Sequence, residues 1–255
     1  MNMDIRAYNR KAWDHEVESG SPWTIPVSHE IIEAARHGEW SVLLTEQKPV
    51  PREWFPLMQG LGMLALACGG GQQAPIFAAA GANVTLLDNS PRQLDRDREV
   101  AEREGLQIKL IEGDMRDLSI FADSSFDFIF HPVSNLFVPE VRPVWKEAFR
   151  VLRRGGTMLA GLMNPIFYIF DIDKADHGVL EIAHKLPYAD SEHSEIMQKM
   201  MEKNLPLEHS HSLDDQIGGQ IDAGFYIIGF YEDKQPNNTI SEYTPTYLAT
   251  RALKP

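Results

Sequence analysis

Residues 64–75 read LALACGGGQQAP: an apolar run, three consecutive glycines, two glutamines and a proline. The next apolar run, ANVTLLD (82–88), closes on Asp88. A glycine turn between a strand and a helix lets a ligand approach the main chain. The helix N-terminus adds free N–H donors and partial positive charge. A carboxylate ending the following strand stands where it can accept both hydroxyls of a ribose, so Gly69, Gly71 and Asp88 predict a ribose-bearing ligand. Further along, GDMRDL (113–118) places an acid, Asp114, to hydrogen-bond an adenine amino group. FDFIFHPVSN puts His131 at a strand end, with Asn135 close behind. A histidine there is the candidate general base, and Asn135 its orienter or a substrate contact.

Those residues need a parallel sheet to bring them together. GLGMLALAC (60–68) reads as a buried strand, followed by QQAPIFAAAG (72–81), a helix with Pro75 in its first turn and Gly81 closing it. After ANVTLLD comes SPRQLDRDREVAEREG (90–105), where Ser90 fits the N-cap, Pro91 the first helical position and Gly105 the stop. QIKLIEGD (107–114) and SFDFIFHPVS (125–134) read as strands, and PEVRPVWKEAFRVLRRGG (139–156) as a helix whose basic end precedes a Gly155–Gly156 stop. TMLAGLMN (157–164) is another buried strand. Such alternation implies parallel strands with right-handed helical crossovers. Residues 165–211, rich in His, Met and Pro, read as an insertion or lid. Helical order returns in SLDDQIGGQIDAGF (212–225), with Ser212 and Asp215 as a capping pair, and FYIIGFYED (225–233) with ISEYTPTYLATRALK (240–254) reads as a hairpin. The expected fold is α/β, a Rossmann-like doubly wound sheet of about seven strands, mostly parallel with the last strand antiparallel. One domain is expected: 1–59 an N-terminal cap segment, 60–164 the cofactor-binding core, 165–211 the lid, 212–255 completing the sheet.

A chain of 255 residues, 43% hydrophobic and 24% charged, suffices for one large α/β domain. A formal net charge of −13 disfavours nucleic acid as a partner. No run approaches the roughly 20 apolar residues that cross a bilayer. The opening MNMDIRAYNRKAWDHEV lacks a secretory pattern, and one cysteine, Cys68, suits a reducing compartment, so a cytoplasmic location is expected. PRQLDRDREVAERE (91–104) mixes both signs and reads as a solvated helix face. DIDKAD (171–176) lacks the glycine and distal glutamate of a calcium loop, and the histidines after residue 165 lack zinc spacing, so no metal is expected.

Gly69-x-Gly71-x-x-Ala74 with an acid one strand later also fits a dinucleotide fingerprint, which keeps an NAD(P)-dependent oxidoreductase as an alternative. GDMRDL, FDFIFHPVSN, the helix ending in LRRGG and the closing hairpin together resemble the class I S-adenosylmethionine-dependent methyltransferases, particularly their small-molecule branch. The likeness covers about residues 60–164 by motif and 212–254 by element order. It implies S-adenosyl-L-methionine as cofactor, bound along Ala67, Cys68, Gly69, Gly70, Gly71, Asp88 and Asn89. It implies that Asp88 holds the ribose, Asp114 with Met115 holds and covers the adenine, and His131 to Val133 line the methionine portion. The family's first motif usually carries an acid two residues before its first glycine; here those positions are Ala65 and Ala67, while Gly69 and Gly71 match. Gln73 is the candidate contact to the cofactor carboxylate that Ala65 cannot supply. The departures keep a second alternative, a non-catalytic S-adenosylmethionine-binding protein. Methyl transfer from a sulfonium requires alignment and exclusion of water rather than a triad or metal. The expected partner is a small-molecule methyl acceptor, with neither nucleic acid nor membrane, and nothing in the sequence sets an oligomeric state. Trp13 and Trp23 are candidate cover residues, and Met197, Met200 and Met201 candidates for an apolar wall.

Overall fold

Alternate residues of the central strands are apolar on both faces, so the strands bury both faces under helices. The structure, a computed structural model, describes residues 3–255. Its seven strands are β1 (Gly62–Leu66), β2 (Asn83–Asp88), β3 (Ile108–Glu112), β4 (Phe126–His131), β5 (Leu152–Met163), β6 (Tyr226–Asp233) and β7 (Tyr247–Leu253). They form one sheet in the order β3-β2-β1-β4-β5-β7-β6. β1 pairs in parallel with β2 and β4, and β7 runs antiparallel to both β5 and β6. The strand order therefore reverses beside β1, at the point where open sheets of this kind leave a crevice beyond the carboxyl ends.

Met63, Ala65, Leu86, Phe128 and Phe130 point into one core, shared with Phe77 of α3 (Gln73–Ala79) and Val100 of α4 (Pro91–Glu104). Leu64, Leu66, Leu87 and Ile129 point into the other, around Trp145 of α5 (Arg142–Val151). α1 (Ile5–Ser19) and α2 (His29–Arg36) precede the sheet. Buried Asn9 ties α1 down: its side chain donates to Phe137 O at 3.0 Å and Leu207 O at 2.9 Å and accepts from Leu207 N at 2.8 Å. Residues 165–211 carry the short α6 (Ile172–Ala175) and α7 (Ser194–Glu202), and a smaller apolar cluster of Phe167, Tyr168 and Tyr188 packs there against Met163 and Tyr247.

Ser90 caps α4 through Gln93 N at 3.1 Å, and Gly105 closes it at φ +66. Ser212 Oγ accepts from Asp215 N at 3.0 Å as the capping pair requires, at the start of a π-helical turn that runs into α8 (Gly219–Ala223). Two expectations change. α5 ends at Val151, and LRRGG opens β5 rather than closing the helix. There Arg153 reaches the Asp127 carboxylate at 2.5 Å and Ser124 O at 3.0 Å, and Gly155 N donates to Lys254 O. Arg150 stays in the last turn of α5, while Arg153 and Arg154 belong to the start of β5. In the last segment Ile240–Tyr243 is a helical turn, α9, and pairing starts only at Tyr247. Asn238 Oδ1 accepts from Ile240 N at 2.9 Å, a local cap that competes with the strand.

Candidate active site

The carboxyl ends of β1, β2 and β4 open onto a cavity of about 840 Å³. At the end of β1 the chain turns through Ala67 at φ +48, then Cys68 and Gly69. Gly69 N donates to Asp88 Oδ2 at 2.9 Å, and Ser90 N donates to Asp88 Oδ1 at 2.9 Å. A Cβ on Gly69 would lie 2.7 Å from Gln93 Cβ and 3.0 Å from Asp88 Oδ2, so no side chain fits there. Burial raises Asp88 above the usual carboxylate range despite the N–H groups that favour its charge. Each of its oxygens keeps a further lone pair, the requirement for accepting a diol.

Of the residues expected at the cofactor, Ala67, Cys68, Gly69, Gln73, Asp88, Asn89, Asp114, Met115 and Val133 line this cavity. Burial pushes the Cys68 thiol well up, and its sulfur donates to Gln73 Oε1 at 3.7 Å. Asn89 is held by Arg6 of α1, accepting from Nε at 3.0 Å and donating to its carbonyl at 3.0 Å. Asp114 takes two oxygens' worth of hydrogen bonds from Arg116, the shortest 2.7 Å. Burial pushes Asp114 up, but Arg116 outweighs it and the carboxyl lies below its ordinary value. The acid expected at the adenine is thus in an ion pair rather than a free acceptor.

Gly70 and Gly71 do not line the cavity. Their N–H groups point the other way, onto Asp97 Oδ2 at 2.9 and 3.0 Å. Asp97 is fully buried, and burial raises its pKa from 3.8 to about 8. α4 has the solvated face expected of 91–104, with Arg92, Arg98, Glu99, Glu102 and Arg103 exposed, but its other side, Gln93, Leu94, Asp97, Val100 and Glu104, is buried. The signal was present as three-residue steps from Leu94 through Asp97 to Val100. Gln93, also unforeseen, lines the cavity, and its Oε1 is buried without a donor.

The structure does not bring His131 or Asn135 to the cavity; their neighbours Pro132, Val133, Ser134 and Leu136 line it instead. His131 is fully buried with Nδ1 2.9 Å from Leu66 O and its ring edge-on to Trp145. Burial lowers its pKa to about 4. A neutral ring whose N–H is spent on a carbonyl is a structural element of the sheet, and it does not itself line the cavity. Asn135 is 1% exposed, and its carbonyl meets His211 Nε2 at 3.0 Å.

Trp13 and Trp23 line the cavity too, with Trp13 edge-on to Phe137 at 5.1 Å. Gln72 Nε2 donates to Pro22 O at 3.0 Å and Ile25 O at 3.2 Å, fastening the Trp23 loop over the glycine turn. Met200 of α7 lines the opposite end, whereas Met201 is 44% exposed. That end is walled by Tyr168, Tyr188 and Tyr247, each paired with a carboxylate, Tyr188 with the nearby Asp190 and the other two with distant acids, and none of these was foreseen. Among the described residues no helix is long and apolar enough to cross a membrane.

A family model described as a methyltransferase domain matches residues 64–160. A Bacillus subtilis protein named uncharacterized methyltransferase YbaJ is 52% identical over 250 residues, 97% of this chain and 98% of that one. Sterol 24-C-methyltransferase of Aspergillus fumigatus is 38% identical over 103 residues, 39% of this chain and 27% of that one. The crystal structure of an S-adenosylmethionine dependent methyltransferase from Mesorhizobium loti superposes with a TM-score of 0.63 at 20% identity, over 79% of this chain and 94% of that one. At that identity the likeness concerns the fold.

Proposed function

Because the chain belongs to the class I S-adenosylmethionine-dependent methyltransferases, we propose that it methylates a small-molecule acceptor enclosed beside the donor. The nicotinamide and non-catalytic readings of the glycine turn give way to that membership. The observation carrying the proposal is the cavity itself. Its volume of about 840 Å³ is typical of small-molecule sites, and it runs from Gly69 and Asp88 at one end to Tyr168 and Tyr188 at the other. α1, the Trp23 loop and residues 165–211 all contribute to its lining.

The residues present fit the donor. Asp88 offers lone pairs to a ribose, Gln93 Oε1 lacks a donor, and Gly69 admits no side chain between them. Met115 and Val133 supply apolar cover along the same wall. When bound, S-adenosylmethionine supplies an electrophilic methyl group on a sulfonium. The chain's own part is to fix two ligands in line and exclude water. Asp97 would act indirectly, holding the Gly70 and Gly71 amides so that the turn keeps its shape.

The test is incubation with methyl-tritiated S-adenosylmethionine and a bacterial extract split into low-mass, protein and nucleic-acid fractions. Label in a low-mass product that chromatography separates from the donor, and that is missing without the protein, is expected; transferred label confined to macromolecules overturns the reading.

A further inference from the structure

The far end of the cavity presents acceptors without a matching cation. Tyr168 Oη donates to Glu208 Oε2 at 2.8 Å, Tyr188 to Asp190 Oδ1 at 2.7 Å and Tyr247 to Glu46 Oε2 at 3.0 Å, and all six residues line the chamber. A phenol has one proton to give. With each proton spent on a carboxylate, the phenol oxygens keep only lone pairs to offer, while the Tyr188 ring stacks on Tyr168 and on His193. A seventh group repeats the pattern: Gln235 Oε1, on the same lining, is buried with no donor.

Nearby basic groups are engaged elsewhere. Lys199 is paired with Asp173, and Arg6 and Arg116 lie against Asp114 at the adenine end. His184 and His193 pack on Tyr188, each with ring centroids 4.9 Å away, and burial together with His193 lowers the His184 pKa. Burial and the neighbouring Asp190 push Glu208 up to about 7, and burial also raises Asp190 and Glu46. Three carboxylates crowded without a counterion favour a ligand that brings positive charge.

The geometry points to an amine, bound as its ammonium ion among Tyr168, Tyr188 and Tyr247, as the methyl acceptor. This rests on the small-molecule reading above and names the substrate class for it. An ammonium supplies donors to a lining of acceptors, and its charge is attracted to the carboxylates. A carboxylate acceptor would be repelled, and a neutral hydroxyl would leave the wall uncompensated. Attack requires a free nitrogen lone pair. Glu208 Oε1, the oxygen Tyr168 leaves free, receives the proton as an N–H bond breaks. The lone pair so freed forms the N–CH3 bond, the C–S pair stays on sulfur, and the product amine leaves carrying the positive charge.

The probes are 2-phenylethylamine and its neutral isostere 2-phenylethanol, titrated by saturation-transfer NMR into protein saturated with S-adenosylhomocysteine. The amine is expected to bind about tenfold more tightly. Glu208→Gln, which retains an oxygen for Tyr168, should erase that preference while S-adenosylhomocysteine affinity stays unchanged. Asp190→Asn should reduce it too, and serves if the first variant does not fold. Equal binding of the two probes, no binding of the amine at millimolar concentration, or a preference that survives both substitutions overturns the inference. Failure of S-adenosylhomocysteine to bind the native protein would instead bring down the reading on which it rests.

Discussion

Replacing Asp97 by Asn should flatten a pH dependence of stability that the native protein carries. The carboxyl sits fully buried on α4, with Oδ2 accepting from Gly70 N and Gly71 N and Oδ1 without a partner. Those two hydrogen bonds favour the charged form, yet burial outweighs them and carries the pKa from 3.8 to about 8. The folded state therefore holds this proton where the unfolded chain has already released it. Its contribution is complete below the unfolded pKa and is lost as pH rises through the folded one. Within that window the slope is at most about 1.4 kcal/mol per pH unit, which sums to a ceiling of about 5–6 kcal/mol. Even half of that is a large share of the roughly 5–15 kcal/mol that holds a domain folded. Asn keeps an oxygen for both amides and carries no titratable proton. Urea unfolding of both proteins from about pH 5 to about pH 8.5 isolates the group, because every other titration cancels in the difference. The variant should gain on the native protein steadily as pH rises. Parallel curves would refute a neutral buried Asp97.

Three further outcomes follow from the same geometry. Asp88→Ala should weaken S-adenosylhomocysteine binding by about 1–3 kcal/mol in calorimetry, since the acceptor for the ribose is lost; unchanged affinity would remove Asp88 from the site. His131→Ala should cost about 2–4 kcal/mol of stability in chemical unfolding, by opening a cavity and leaving Leu66 O unpaired, with the shape of the pH–rate profile preserved. Disappearance of a limb of that profile would restore the histidine as a base. Gly70→Ala places a Cβ 2.6 Å from Trp23 O at φ +119, so it should displace the Trp23 loop and lower S-adenosylhomocysteine affinity about tenfold. A normal titration would show that the loop does not cover the bound donor.

What was legible in the sequence is what neighbours along the chain decide. The parallel strands, the Ser90 and Gly105 caps of α4 and the pairing of Gly69 with Asp88 all follow from short-range patterns that the structure repeats. The ends of elements were harder. LRRGG and ISEY carry helix-end and strand propensities that Asp127, Lys254 and Asn238 override through contacts made elsewhere. The far wall was illegible for a plainer reason. Tyr247 meets Glu46 from 201 residues away, and Tyr168 meets Glu208 across 40, with no local pattern to announce either. His131 misled because position at a strand end implies access to the crevice, whereas the ring turns inward to the Leu66 carbonyl.

The most direct measurement is hydrogen exchange of the purified protein with and without saturating S-adenosylhomocysteine, alongside a calorimetric titration. Binding at one site per chain, with slowed exchange around Cys68 to Gln73, Asp88 to Gln93 and Asp114 to Arg116, is the expected result. No heat of binding at millimolar concentration, or protection confined to other segments, would contradict a donor seated against Asp88.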